Sequence, residues 1–539
     1  MTFSSRRSSV YACGGMVATS QPLAVQAGIE LLRQGGNAAD AAVAAAAALA
    51  VTEPTSTGLG GDAFVLYYNA AARQVSALNG SGRAPYNLSL ERLQREGLGN
   101  ALPPFHPYNI TVPGACAAWC DLVERFGRRS LGDILQPALR LAQTGFPVAP
   151  VTAYFWQRSA QGQLAKAFNG REMTIDGRGP QAGEIFKNPG MTRTLAALSA
   201  RGRAAYYNGE IGEEIVRTVQ EAGGCLEMAD LEAHASDWVE PIWTDYRGWR
   251  IWECPPNGQG MAALLALNLL EGYDLKSMLP LSAERLHLEI EAMRLAFADA
   301  FYFAADPRFA PAPLAELLGK PYAAERRKLI DIHRASHNVS HGAPCQSSDT
   351  VYLSVVDGEG NACSFINSNY MGFGTGIVPR GWGFSLQNRG ANFNLDAAHP
   401  NALAPGKRPY HTIIPAMATD PCTGDLLASF GVMGGFMQPQ GHMQVVTALL
   451  DDGLDPQSAL DRPRFCLEPE QGGMRLAALE EGIPDAAVKG LQERGHAVRV
   501  VQGMQRALFG RGQIILRDPR SGVLCGGSDP RADGCAQGL

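Results

Sequence analysis

The run Thr350-Val351-Tyr352-Leu353-Ser354-Val355-Val356-Asp357 nearly alternates apolar and polar residues and is dominated by β-branched types, so it reads as a strand. Asp357-Gly358-Glu359-Gly360-Asn361 then supplies turn residues, and Ala362 to Ile366 returns as a second strand, which makes a hairpin. After it comes Asn367-Ser368-Asn369-Tyr370-Met371-Gly372-Phe373-Gly374-Thr375-Gly376, a loop rich in glycine and hydroxyls.

The rest of the chain has to fit around this hairpin. With 539 residues there is length for more than one core-forming unit. Hydrophobic content of 46% and charged content of 18% belong to a globular protein. A net charge of -6 without a dense Lys/Arg run gives no electrostatic footprint for nucleic acid or an anionic membrane. The alanine run from Ala39 to Leu49 is too short to span a bilayer and is flanked by Asp40 and Glu53, so it reads as a helix in a tightly packed layered core. Arg6-Arg7 is not followed by an apolar stretch, and the expected compartment is the cytoplasm. The eleven cysteines show no pairwise or Cys-x-x-Cys spacing and are expected as reduced thiols.

Three zones follow one another. From Gly15 to Leu270, helix-like stretches (Ala24–Arg33, Ala39–Val51, Thr192–Ala200, Ile211–Glu221) alternate with glycine-rich turns. Ser282 to Phe303 reads as a long helix with Ser282 as N-cap. Pro307 to Gln346 reads as irregular and exposed, and the hairpin opens the last zone. His333, His337 and His341 have helical spacing, but Asn338, Ser340 and Gly342-Ala343-Pro344 break a helix there, so a solvated linker is expected, not a metal site. Gly58-Leu59-Gly60-Gly61-Asp62-Ala63 is a weak match to a dinucleotide loop, and Gly-x-Ser-x-Gly is absent.

Short segments spread in order along the chain carry a family likeness. They are Gly36-Asn37-Ala38-Ala39-Asp40-Ala41-Ala42, Thr57-Gly58-Leu59-Gly60-Gly61, the hairpin from Thr350, Gly374-Thr375-Gly376-Ile377-Val378, Lys407-Arg408-Pro409 and Gly434-Gly435. In these the chain resembles the gamma-glutamyltransferase family of N-terminal-nucleophile hydrolases over nearly its whole length. The resemblance implies a four-layer αββα sandwich made as a proenzyme and cut between Asp349 and Thr350. The large fragment, 1–349, and the small one, 350–539, then form a heterodimer. It also implies that Thr350 is the nucleophile, that Ser368 is an assisting hydroxyl, and that Gly434 and Gly435 form the oxyanion hole. No metal or cofactor is expected. A chain-terminal threonine carries its own base, since an α-amine titrates near pH 7.7–8.0 and sits beside its own Oγ.

The chain departs from the family where substrate is held. Asn392 stands where typical members have an acid that faces a substrate ammonium, His411-Thr412 replace a serine pair, and Tyr370 replaces an asparagine. Arg389 remains, and Arg83 stands near the family's early arginine. A neutral Asn gives up a charge-assisted contact worth about 1.5–3 kcal/mol, while the arginines still favour an anion. The expected substrate is a small amide that carries a carboxylate and lacks an α-ammonium, as in the oxamate amidohydrolase branch; the alternative is γ-glutamyl transfer or glutathione hydrolysis. Denaturing electrophoresis is expected to show two bands, of about two-thirds and one-third of the 539-residue chain, and Thr350→Ala only one.

Overall fold

The computed structural model describes residues 7–336, 350–470 and 473–539. Asp349, His337 and His341 lie outside the described residues. Fourteen strands build the two large sheets: β1 Val10–Ala12, β2 Gly15–Thr19, β3 Asp62–Asn69, β4 Gln74–Gly80, β5 Asp237–Val239, β6 Ile242–Tyr246, β7 Trp249–Glu253, β8 Val351–Asp357, β9 Ala362–Ser368, β10 Ala416–Thr419, β11 Leu426–Met433, β12 Arg511–Arg517, β13 Leu524–Ser528 and β14 Cys535–Gly538. One sheet runs β1-β13-β12-β11-β10-β7-β6 and the other β14-β2-β8-β9-β3-β4-β5.

Alternation along the strands sorts side chains into three cores, which makes four layers. Between the sheets lie Phe64, Leu66, Tyr352, Val356 and Ile366 from one sheet and Met417, Met433 and Ile515 from the other. The outer face of the β8 sheet, with Leu353, Val355 and Phe365, is covered by α1 Pro22–Arg33 and α2 Ala38–Thr52. The outer face of the β11 sheet, with Phe430 and Val432, is covered by α3 Gly260–Leu270, α4 Ala283–Phe303 and α5 Met437–Leu450. The αββα sandwich expected from the resemblance is therefore present.

Local chemistry explains the helix ends. Asn37 caps α2, its side chain accepting from the N–H groups of Ala39 and Asp40, and Asp40 bonds back to Asn37 N. Every residue of α2 is buried, which the small alanine side chain permits where helices press closely together. Ser282 caps α4 as expected. The helices expected at Thr192–Ala200 and Ile211–Glu221 are Pro189–Arg201 and Glu210–Glu221. Two expectations need correction. The zone from Pro307 is not wholly irregular, because Leu314–Leu317 and Lys320–Arg327 are helical, the latter led by Pro321 in its first turn. Ser368, read above as loop, is the last residue of β9. The described cysteines are free thiols, and no helix among the described residues is long and apolar enough to cross a membrane.

Both sheets draw strands from either side of Thr350. β8 lies between β2 and β9, β9 between β8 and β3, and β10 between β11 and β7. Neither 1–349 nor 350–539 holds either of these two large sheets complete, so a chain cut at this point keeps both pieces in one core. Residues 350–539 expressed alone are expected to show no cooperative thermal transition, whereas the same residues in the full chain unfold as one unit; calorimetry of the two proteins checks this.

Candidate active site

The register of the β8 sheet sets up the site. Val351 pairs with Asn367, so Thr350 falls opposite Ser368, and Ser368 in turn pairs with Asp62 on β3. Alternation points Thr350, Ser368 and Asp62 toward the space between the sheets, on the same side as Tyr352, Ile366 and Phe64. Thr350 Oγ1 lies 3.1 Å from Ser368 Oγ. Ser368 Oγ also accepts from Tyr370 N at 2.9 Å and from Arg389 Nη2 at 3.1 Å. These two N–H donors face the lone pairs of Ser368 Oγ, an arrangement in which its proton can point to Thr350. That polarity suits a threonine oxygen that has to carry negative charge.

Arg389 is the charge at the centre of the site. Its side chain is wholly buried; Nη1 donates to Thr412 Oγ1 at 2.8 Å, and its Cζ stands 4.4 Å above the Tyr370 ring. Among the described residues no carboxylate lies within ion-pair distance of it, and Nε has no partner. Burial draws its pKa down to about 10, against the pull of Asp62, so it is a cation at neutral pH. A buried cation held only by hydroxyls and a ring face favours an incoming anion.

A side-chain amide that sequence reasoning missed assembles the remaining walls. Gln259 Nε2 donates to Thr412 O at 2.6 Å and to Gly435 O at 2.8 Å, while Tyr410 Oη donates to Gln259 Oε1 at 2.8 Å. Gly434 and Gly435 have φ of 133° and 59°, conformations suited to glycine, between the end of β11 and the start of α5. Their carbonyls are occupied by Met437 N, Gln438 N and Gln259. The Gly60-Gly61 pair serves close approach instead: a Cβ on Gly61 would lie 2.3 Å from Ser368 O, and one on Gly60 2.1 Å from Ser385 O. This segment is therefore a rest for the β9 loop and not a phosphate cradle.

Asp62 was also missed, although it stands inside that glycine motif. Its Oδ1 accepts from Gly82 N and Gly114 N, and its Oδ2 lies 3.1 Å from His411 Nε2. His411 Nδ1 accepts from Ile413 N, which leaves the ring proton on Nε2 for Asp62. Burial pushes Asp62 up to about 6, opposed by Arg389 and two backbone N–H groups. Burial together with Arg389 and Arg408 pushes His411 well below its usual range, so it is neutral.

The other two candidates lie apart from this centre. The Arg83 guanidinium is engaged with Asp306, Asp237 and the Gly406 carbonyl, on the outer side of the Arg408 network. Asn392 lines a cavity of about 580 Å³ with Phe301, Tyr410 and Phe436, and both its amide atoms are buried without a partner. Tyr410, on this cavity's wall, donates to the Gln259 amide that joins Thr412 to Gly435, so the cavity adjoins the centre. Of the described residues, His287, Glu291 and His496 bring possible metal ligands within 4.8 Å of one another, but Arg294 pairs with Glu291 there, and His287 Nδ1 meets His496 Nε2 at 2.7 Å. The Arg294 guanidinium thus engages two of these three residues, Glu291 and His496.

Comparisons with known proteins give the family and the fold. The family pattern described as Gamma-glutamyltranspeptidase matches residues 24–539. The glutathione hydrolase-like YwrD proenzyme of Bacillus subtilis (strain 168) is 37% identical over 97% of this chain and 98% of its own. The oxamate amidohydrolase proenzyme of Klebsiella pneumoniae subsp. pneumoniae is 32% identical over 97% of this chain and 98% of its own. The crystal structure of cephalosporin acylase from Bacillus halodurans superposes with a TM-score of 0.92 at 44% identity, covering 99% of this chain and 97% of that one.

A titration tests the electrostatics. As pH falls through about 6, Asp62 takes up a proton and no longer draws on the Arg389 charge. Glutarate should therefore bind Thr350→Ala about threefold to tenfold more tightly below that pH than above it, while uncharged glutaramide should not change. Calorimetric titration of both compounds from about pH 5 to about pH 8 measures this; parallel curves would remove Asp62 from the role.

Proposed function

The chain belongs to the gamma-glutamyltranspeptidase family, an N-terminal-nucleophile hydrolase that acts on amide bonds, and from that premise we propose that Thr350 hydrolyses an amide whose acyl part carries a carboxylate. The observation that carries this reading is Arg389, a wholly buried cation two hydrogen bonds from Thr350 Oγ1 with no carboxylate partner among the described residues. A substrate carboxylate separated from its scissile carbonyl by a short spacer completes that charge.

In maturation, Thr350 Oγ attacks the Asp349 carbonyl, the C–N bond breaks with its proton going to the new α-amine, and water hydrolyses the resulting ester. The pieces are then 1–349 and 350–539, held together by their shared sheets. In turnover the α-amine takes the Thr350 hydroxyl proton as Oγ attacks the substrate amide. Ser368 donates to the threonine oxygen, and the N–H groups of Gly434 and Gly435 receive the oxyanion; a donor of that kind is worth about 2.7–4 kcal/mol. The leaving amine departs with the proton, and water releases the acyl group from Thr350.

Asn392 supports an acyl group without an ammonium, because its neutral amide stands buried and unpartnered at the cavity wall. The cavity of about 580 Å³ and its aromatic walls give room beyond oxamate, for acyl groups with a short carbon chain. Tyr370 closes over Arg389, and Thr412 fixes the guanidinium. Arg83 takes a supporting part by tying the 406–408 segment to the site's outer wall. The second reading, γ-glutamyl transfer or glutathione hydrolysis, has one observation in its favour: Asp396, exposed, also lines the cavity and offers an ammonium a carboxylate.

A substrate panel separates the two readings. Glutaryl anilide is expected to be turned over about 10- to 150-fold faster, in kcat/KM, than γ-glutamyl anilide, the value of one charge-assisted contact. A γ-glutamyl substrate that outruns both glutaryl anilide and oxamate would overturn the preference. Arg389→Gln should raise KM for glutaryl anilide by about tenfold or more and leave that for the uncharged butyryl anilide nearly unchanged. Thr350→Ala should abolish turnover of every member.

A further inference from the structure

We propose that Gln259 is a positioning residue that sets the Gly434-Gly435 turn for oxyanion binding, so that the rate on every acyl group depends on it. This rests on the reading of Thr350 and of that turn given above, and adds to it a side chain from the 1–349 side of the chain.

Gln259 occupies the N-cap position of α3 yet makes no side-chain cap. Ser, Thr, Asp and Asn are the residues that stabilise a helix start, so a Gln there does little for α3. Its wholly buried side chain instead crosses to segments that follow Thr350 in sequence. Both Nε2 protons are used, on Thr412 O at 2.6 Å and on Gly435 O at 2.8 Å, and Oε1 accepts from Tyr410 Oη at 2.8 Å. These partners fix the amide's orientation, because a flipped amide would set an oxygen against two carbonyls. The backbone aims it. Gln259 N donates to His411 O at 3.0 Å, His411 N donates to Asn257 O at 2.9 Å, and Asn257 Nδ2 donates to Pro409 O at 2.7 Å.

The glycine turn needs such a hold. Glycine has the widest backbone freedom, and two in succession, at φ of 133° and 59°, can swing their peptide planes. Gly434 O accepts from Met437 N at 3.0 Å and Gly435 O from Gln438 N at 3.1 Å, bonds local to the segment itself. Gln259 adds a tie to a remote element. It joins the Gly435 carbonyl to that of Thr412, whose Oγ1 accepts from Arg389. Arg389 donates to Ser368 Oγ, which lies 3.1 Å from Thr350 Oγ1. One continuous chain of contacts thus runs from the glycine turn to the threonine, with Gln259 as its link. Donors stabilise an oxyanion only when preset where its charge develops, so a loosened turn costs rate more than affinity.

The test is a comparison of kcat and KM for glutaryl anilide and uncharged butyryl anilide. Wild type, Gln259→Met and Tyr410→Phe are assayed, with rates normalised to the cleaved fragment seen on denaturing electrophoresis. Gln259→Met keeps the side chain's length and removes both donors; Tyr410→Phe keeps the ring and removes the bond that orients the amide. Gln259→Met is expected to lower kcat by about tenfold to a hundredfold, equally on both anilides, with each KM within about threefold of wild type. Tyr410→Phe should lower kcat in the same substrate-blind way by about threefold to tenfold, and it decides the matter if Gln259→Met fails to mature. An effect confined to the KM of glutaryl anilide would make Gln259 part of the carboxylate clamp, and unchanged kcat in the matured variants would make it a tie of the fold alone; either result overturns the assignment. If wild type turns over neither anilide, the amidohydrolase reading falls and this one with it.

Discussion

The structure depends on the pairing of β8 with β9 in one register between β2 and β3. That register puts Thr350 opposite Ser368 and Ser368 opposite Asp62, with all three facing the space between the sheets. Side chains alternate strictly along a strand, so a slip of one residue would turn Thr350 toward α2 and bury it in an apolar core. The packing resists such a slip. Tyr352 and Val356 must fill the inter-sheet core while Leu353 and Val355 meet the helices. Ser354 and Ser429 also bond across the two sheets at 2.6 Å. The same apolar pattern that stabilises the fold aims the candidate nucleophile.

The site is built outward from that row by groups that fix one another. Ser368 holds Arg389 by Nη2 and Thr412 holds it by Nη1, while Gln259 ties Thr412 to Gly435. Four segments distant in sequence, the ends of β8 and β9, the Arg389 turn, the His411-Thr412 stretch and the Gly434-Gly435 turn, are held by a few hydrogen bonds around one buried cation. Leaving that cation without a carboxylate costs folding free energy. The cost makes sense if an anion arrives during function, and Asp62, paired with Ser368 from β3, draws on the same guanidinium.

Much of this was legible in the chain. The hairpin, the helices from Pro22, Ala38 and Ser282, and the layered core follow from alternation, capping residues and the alanine run, because those signals are local. Thr350, Ser368, Arg389, His411 and Thr412 were named from residues and family likeness, and contacts among them or along the same wall bring them together. Asp62 and Gln259 were not found, since a lone carboxylate at a strand start and a lone amide before a helix carry no local mark. Arg83 was read as a substrate contact, but its partners Asp306 and Asp237 lie 223 and 154 residues away, and nothing near it in sequence announces them. Ser368 was read as loop because its hydroxyl-rich context hid the final step of β9.

The sequence by itself determined which segments become strands and helices, which residues can carry nucleophilic chemistry, and that an acid has been exchanged for Asn392. These depend on the neighbours within a turn or two of the chain. Only the tertiary structure decided that Arg389 and not Arg83 bonds Ser368, that Asp62 meets His411 beside that row, and that a cavity opens at Asn392. Those facts depend on register, on which buried charge finds which partner, and on space left between distant segments, quantities that no local pattern encodes.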